Sequence, residues 1–181
     1  EEGVRGRSFD RDLTEVVIGR GGYIGPGMNS LNQRVRTTEQ ILSLVQQKGW
    51  LPDDQLQQLK REFLSHIRPF GPDTAIGLVP NLCASRVADR LGLGGAAYTV
   101  DAACASALIA VARACESLDR GRANLALAGG VHMVHDLTFW SVFSQLGALS
   151  RTQQSRPFHA DADGLLMGEG VGAVVLKRLA D

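Results

Sequence analysis

The sequence predicts an α/β fold, a sheet covered by helices on both faces. Three observations carry this expectation. Short apolar runs recur at residues 15–19, 97–102, 125–131 and 170–179, as buried strands require. Stretches of helical length separate them at 82–91 and 104–118. From Ala75 onward the composition turns small and aliphatic, as for strands buried on both faces.

The first strand, 15–19, runs into Gly19-Arg20-Gly21-Gly22-Tyr23-Ile24-Gly25-Pro26-Gly27, a loop of unusual backbone angles or close backbone approach. Gly19-x-Gly21-x-x-Ile24 lacks the third glycine of a dinucleotide fingerprint, and no Gly-Lys-Ser/Thr follows, so a structural turn is preferred over a phosphate loop. Amphipathic helices are predicted at 38–48 and 53–67, with Leu56, Leu59, Phe63 and Ile67 at helical spacing. Gly49 and Pro52 separate the two helices, and Pro69, Gly71 and Pro72 close the pair. Residues 31–72 are therefore expected to form a helical excursion, a surface hairpin rather than a partner-binding helix. The core is expected over 75–181: a helix at 82–91 ended by Gly92, a strand, the helix from Cys104, a turn at Asp119-Arg120-Gly121-Arg122, and two further strands. Phe139, Trp140 and Phe143, at near-helical spacing, read as core before they read as a pocket or dimer border.

A length of 181 residues fits one domain or a piece of a larger one. The opening Glu1-Glu2-Gly3-Val4-Arg5 and the stop at Leu179-Ala180-Asp181, directly after an apolar strand, favour a fragment. Nineteen basic and nineteen acidic side chains cancel, which argues against nucleic acid or an anionic membrane as partner. The run 123–131 is too short to span a bilayer, and no secretory leader is visible. Three cysteines, Cys83, Cys104 and Cys115, cannot all pair and lack zinc spacing, which makes a reducing, cytoplasmic setting the expectation. His132 and His135 could suggest a metal pair, but no further ligands accompany them.

The chemistry centres on Cys104, at a strand-to-helix corner among small side chains. Such a turn crowds its central residue, and Ala102 and Ser106 are small enough to relieve it, as in a nucleophile elbow. A helix N-terminus favours thiolate over thiol, and its amides can hold a developing oxyanion. The competing reading is a cysteine that simply packs in an Ala-rich core helix. On spacing alone both stand, since no base can be paired with the thiol. Cys115, in line with Leu108, Val111 and Leu118, is expected in the core; Cys83 matches no nucleophile motif.

Val100-Asp101-Ala102-Ala103-Cys104-Ala105-Ser106-Ala107-Leu108 resembles the active-site segment of β-ketoacyl synthases, usually Asp-Thr-Ala-Cys-Ser-Ser-Ser-Leu. Leu125-Ala126-Leu127-Ala128-Gly129-Gly130-Val131 resembles the strand that follows the cysteine helix in that family. Phe143-Ser144-Gln145-Leu146-Gly147-Ala148-Leu149-Ser150 is similar to its Phe-Ser-x-x-x-x-Leu-Ser. Arg156-Pro157-Phe158, Ala162-Asp163-Gly164 and Gly168-Glu169-Gly170 resemble its Arg-Pro-Phe to Gly-Glu-Gly signature. The ordered matches span 75–181 and look closest to polyketide and polyunsaturated fatty acid synthases.

The resemblance implies the cysteine-bearing N-terminal half of a thiolase-like layered fold, without its first elements. It also implies a homodimer within a multidomain synthase and decarboxylative Claisen condensation. Cys104 is implied as the acyl-carrying catalytic residue, and Leu165 as a substrate-binding position along the acyl channel, where many members have Phe. No cofactor is implied on the chain itself; phosphopantetheine comes with an acyl carrier protein that delivers acyl and malonyl thioesters. Ala102, Ala107 and His159 depart from the family's usual Thr, Ser and Asp. His66, His132, His135 and His159 match neither catalytic-histidine motif, so the fragment is expected to be inactive alone. A thiolase or starter-unit synthase is disfavoured by the Arg-Pro-Phe to Gly-Glu-Gly tract, and a non-catalytic dimer partner or scaffold by the presence of Cys104.

Overall fold

The computed structural model describes residues 9–22, 25–67, 69–133 and 136–181. Its elements are β1 (Thr14–Gly19), α1 (Pro26–Asn32), a π-helical turn (Gln33–Thr37), α2 (Thr38–Lys48), α3 (Asp53–His66), α4 (Pro72–Gly77) and α5 (Leu82–Leu91). Then follow β2 (Ala97–Val100), α6 (Ser106–Asp119), β3 (Leu125–His132), α7 (Leu137–Gln145) and β4 (Gly170–Leu176). The strands form one sheet in the order β2-β1-β3-β4, parallel across β2, β1 and β3, with β4 antiparallel at the edge.

Side chains alternate across β1, and this splits the core into two layers. Val17 packs with Ala110, Ala114 and Leu118 of α6 and with Ala126 and Ala128 of β3. Val16 packs on the other face with Ala84 and Ala88 of α5. Alanines dominate both helix contacts, so each helix axis lies close to the sheet. The approach is tightest at the N-terminus of α6. A Cβ on Gly19 would lie 2.3 Å from the Ser106 carbonyl carbon, and one on Gly130 would lie 2.5 Å from the Ala107 Cβ. Gly19 and Gly130 are paired across β1 and β3, so together they form the bare floor on which α6 begins.

At its other end α6 is tied by Arg178, beyond β4. Its guanidinium donates to the Leu118 carbonyl at 3.1 Å, to the Ala123 carbonyl at 2.8 Å and to Asn124 Oδ1 at 2.8 Å. Carbonyls at a helix C-terminus lack intrahelical donors, and a cation there also suits the helix dipole.

α2 and α3 lie where periodicity puts them and pack on each other. Arg34 closes α3 by donating to the Leu64 and Ile67 carbonyls at 3.2 and 3.1 Å. The predicted apolar stripe is only half used, however. Leu56 and Ile67 are buried, whereas Leu59 and Phe63 are exposed, because two helices side by side bury a narrow seam. The short helices α1 and α4 fall in stretches whose Gly and Pro content reads as loop.

Three further expectations are corrected. The strand predicted at 97–102 ends at Val100, and α6 begins at Ser106 rather than at Cys104. Cys115 is exposed, and Leu108 of the same stripe is 76% exposed. The core face of α6 is instead the small-residue line Ser106, Ala110, Ala114 and Ser117, with Leu118 joining it in the last turn, because small side chains allow the helix start to approach so closely. Finally, β4 is not covered on both faces: Val171, Val174 and Val175 are exposed.

Gly19→Ala is expected to destabilise the folded polypeptide by about 1–3 kcal/mol, since the added methyl must displace backbone rather than a side chain. The midpoint of chemical denaturation measures this, and an unchanged midpoint would remove the close-approach argument.

Candidate active site at the strand–helix elbow

Between β2 and α6 the chain turns through Asp101, Ala102, Ala103, Cys104 and Ala105 at the C-terminal end of the parallel strands. Ala103, not Cys104, carries the unusual backbone angle, with φ of 49°. A non-glycine residue held there costs about 1–2 kcal/mol, so other contacts must hold the turn. Two side chains do. Asp101 Oδ1 accepts the Ala103 amide at 2.9 Å, while Oδ2 accepts the Gly22 amide at 2.7 Å. Buried Ser106 closes the other side: its hydroxyl donates to the Ala103 carbonyl at 2.6 Å and accepts the Ala102 amide at 2.9 Å.

Asp101 therefore clamps the elbow and also tethers the loop after β1, whose Arg20 amide donates to the Val100 carbonyl at 3.0 Å. This contact gives part of the glycine-rich segment a role as the loop beside the elbow. Tyr23 and Ile24 lie outside the described residues. The bare position at Gly130 follows from packing, because a Cβ there would lie 2.5 Å from the Ala107 Cβ.

Cys104 is exposed, one residue ahead of the helix cap at Ala105. Ala105 makes no side-chain cap, so no cap side chain occupies the first-turn amides of α6. The Ala105 and Ser106 amides next to Cys104 donate to the Ala102 and Ala103 carbonyls at 3.1 and 3.2 Å; an exposed thiol here can attack a thioester, and any oxyanion would fall to other amides at the start of the helix. Cys83, on the first turn of α5, is half-buried.

Leu165 sits on a separate loop clamp. Its amide donates to the Ala148 carbonyl at 2.9 Å, and its carbonyl accepts the Ser150 amide at 3.0 Å, forming a bridge with Leu149. The preceding Gly164 has φ of 145°, and a Cβ there would lie 2.6 Å from the Leu149 carbonyl carbon. Asp163 is the hub of this loop. It accepts the Ser150 hydroxyl at 2.9 Å and the Arg151 and Thr152 amides at 3.0 Å each, with the Arg156 guanidinium at 3.6 Å. The Ser150 hydroxyl first, then the Thr152 amide and hydroxyl, hold its carboxyl down at about 2. In the sequence Asp163 stands out only as part of a motif; the hydroxyl-bearing Ser150 and Thr152 are the signal there for its structural role. No hydrogen bond or strand bridge joins Leu165 to the elbow among the described residues.

The remaining candidates resolve differently. His132 lies 5.1 Å from the Phe139 ring centroid, and Phe139 lies 4.8 Å from Phe143. Phe139 is buried as a core residue, whereas Trp140 is at the exposed margin. Asp136 caps α7 by accepting the Phe139 amide at 3.0 Å, and Asn29 of α1 donates to the same carboxylate. His135 lies outside the described residues, and among those described no group of side chains is arranged to hold a metal. No described helix is long and apolar enough to cross a membrane.

The elbow, the parallel strands and the helix that crosses them form an α/β arrangement with a cysteine at the turn, and comparison with known proteins identifies its family. The family described as "Beta-ketoacyl synthase, N-terminal domain" matches residues 30–181, and the chain belongs to that family. It is 44% identical over 112 residues to 3-methylorcinaldehyde synthase from Phoma sp, covering 62% of this chain and 4% of that protein. It is 46% identical over 101 residues to a phenolphthiocerol/phthiocerol polyketide synthase from Mycobacterium tuberculosis, covering 56% of this chain and 5% of that protein. Among solved structures, the ketosynthase from module 6 of the Bacillus subtilis bacillaene synthase matches with a TM-score of 0.55 and 35% identity, covering 57% of this chain and 19% of that one. The chain thus spans a small part of the proteins it matches. The thiolase-like α/β expectation holds for the part seen.

Two outcomes follow from this geometry. Iodoacetamide is expected to label Cys104 ahead of Cys115 and Cys83 in a peptide map; preferential labelling of either other cysteine would count against the elbow. Because folding depresses the Asp163 carboxyl, its contribution to stability is full above the ordinary value of 3.8 and is lost as pH falls toward about 2. Thermal melts of Asp163→Asn should therefore show a weaker pH dependence across that window than the unaltered protein.

Proposed function

We propose that this chain supplies the acyl-accepting part of a β-ketoacyl synthase in polyketide or fatty acid assembly. The observation that carries the reading is the exposed Cys104 on a doubly clamped elbow, at the start of a helix without a side-chain cap. An acyl carrier protein presents an acyl group on its phosphopantetheine arm. The Cys104 thiolate attacks the thioester carbonyl, amides at the start of α6 hold the oxyanion, and as the tetrahedral intermediate collapses the carbon–sulfur bond to the carrier breaks and the carrier sulfur leaves as its thiolate. A malonyl thioester then loses CO₂, and its carbanion attacks the acyl-cysteine, forming the carbon–carbon bond and releasing the Cys104 thiolate.

Leu165, held by the Asp163 loop, is assigned to the wall of the acyl channel. Polarising the malonyl thioester requires donors that this chain's histidines do not match, so the reading takes them from elsewhere in a larger, dimeric, multidomain synthase. The cytoplasm, where acyl carrier thioesters are made and used, is the compartment the reading implies.

Cys104→Ala in the intact polypeptide should abolish acyl loading by intact-protein mass, while the isolated 181-residue chain should show no condensation turnover. Unchanged loading in the variant would remove the assignment of Cys104; turnover by the isolated chain would remove the need for outside donors.

A further inference from the structure

The glycine-rich loop after β1 takes no direct part in the acyl transfer proposed for Cys104, yet it is tied to the elbow at two points. The Arg20 amide donates to the Val100 carbonyl at 3.0 Å, which fastens the loop to the end of β2. Two residues on, the Gly22 amide donates to Asp101 Oδ2 at 2.7 Å. The Arg20 guanidinium reaches the other way, to the Gly77 carbonyl at the end of α4, at 3.3 Å. Residues 20–22 thus form a strut held on both sides, and the elbow leans on it through Asp101.

The carboxylate at 101 makes sense through this strut. Its Oδ1 accepts the Ala103 amide at 2.9 Å, a local turn that an asparagine would make equally well. The second oxygen is what needs a carboxylate. An asparagine in the same pose would present its NH2 to one of the two amides, donor against donor. Gly22 is matched to the contact. A Cβ there would lie 2.8 Å from Asp101 Oδ2 and would meet no other described atom within 4 Å, and the Gly22 backbone is outside the left-handed region. Both bonds are exposed, so water can replace them and the fold survives their loss.

What the link controls is Ala103. That residue is held at φ of 49°, a conformation that alanine leaves when nothing holds it, and Cys104 is the next residue along. Ser106 grips the Ala103 carbonyl from the helix side, and Asp101 grips its amide from the strand side. Cutting the Gly22 contact leaves Ser106 in place but frees the strand side, so the Cys104 thiol is less well placed against the helix start.

We propose that Asp101 is a positioning residue for the nucleophile: bound to Gly22, its carboxylate fixes the elbow against the loop after β1 and so sets how fast Cys104 accepts an acyl group. It acts through Ala103. The acyl part of this statement rests on the ketosynthase reading; the link between Gly22, Asp101 and the elbow does not.

Three variants of the intact polypeptide test it: Asp101→Asn, Gly22→Ala and the two combined. Loading from an acyl N-acetylcysteamine thioester is followed by intact-protein mass. In each single variant kcat for loading should fall about tenfold with KM within about twofold, since a displaced nucleophile loses attack geometry rather than affinity. The combined variant should be no slower than the slower single one, because both cut the same link. Iodoacetamide labelling of Cys115, exposed on the same helix but outside the elbow, should be unchanged. Hydrogen exchange needs no acyl group: segments 20–22 and 102–105 should quicken together in either variant, and α2 should not. Gly22→Ala keeps the test if Asp101→Asn fails to fold. Unchanged loading in the single variants, a rise in KM at constant kcat, or losses that multiply in the combined variant would each overturn the proposal. Faster Cys115 labelling, or exchange that quickens in one segment alone, would do the same. An unaltered protein that never loads Cys104 would instead overturn the ketosynthase reading, and the exchange result would still decide the link.

Discussion

The close approach of α6 to the sheet is the constraint on which the rest of the structure depends. Gly19 and Gly130 leave no side chain between the strands and the first turn of the helix, so Ser106 and Ala107 rest on backbone. A helix seated that low cannot be reached from β2 by a gradual loop. The chain must turn within the few residues after Asp101, and the left-handed Ala103 is the consequence. Asp101 and Ser106 hold the strained residue from either side. The exposed position of Cys104 is thus an outcome of sheet packing as much as of local sequence.

The same packing explains the composition of α6. Its core face is a row of small side chains that ends in Leu118, while Leu108 is left exposed. At its far end the row is interrupted by Ser117, which meets Glu15. One helix therefore carries two polar settings of opposite character: uncapped amides with an exposed thiol at its start, and a buried carboxyl under arginines near its end. The acyl transfer proposed for Cys104 would use the first. Nothing in thiol chemistry requires the second, in which one Glu15 oxygen has no hydrogen-bond partner among the described residues.

The second loop, from Leu149 to Leu165, is organised by charge rather than by packing. Asp163 gathers two amides and two hydroxyls, and Arg156 stands beside it. With Phe158 and Leu166 of the surrounding tract exposed, this polar hub gives the loop a defined shape where apolar burial supplies little. Leu165 takes its place from that hub and from the tight turn at Gly164.

By itself the sequence determined the α/β class, the strand cores, α2, α3, α5 and the identity of the elbow cysteine, since these rest on periodicity, punctuation by Gly and Pro, and ordered motifs within short windows. Only the tertiary structure decided which face of α6 is buried, because Cys115 and Leu108 share a periodic stripe with Leu118, yet of these three only Leu118 joins Ala110 and Ala114 against the sheet. Tertiary contact alone also decided that Asp101 meets Gly22, that Asp163 gathers the Ser150 loop, and that Glu15 is buried beneath arginines far along the chain. Periodicity reports which residues share a face of their own element. Which face meets a neighbour, and how closely, depends on groups distant in sequence, and no local pattern encodes that.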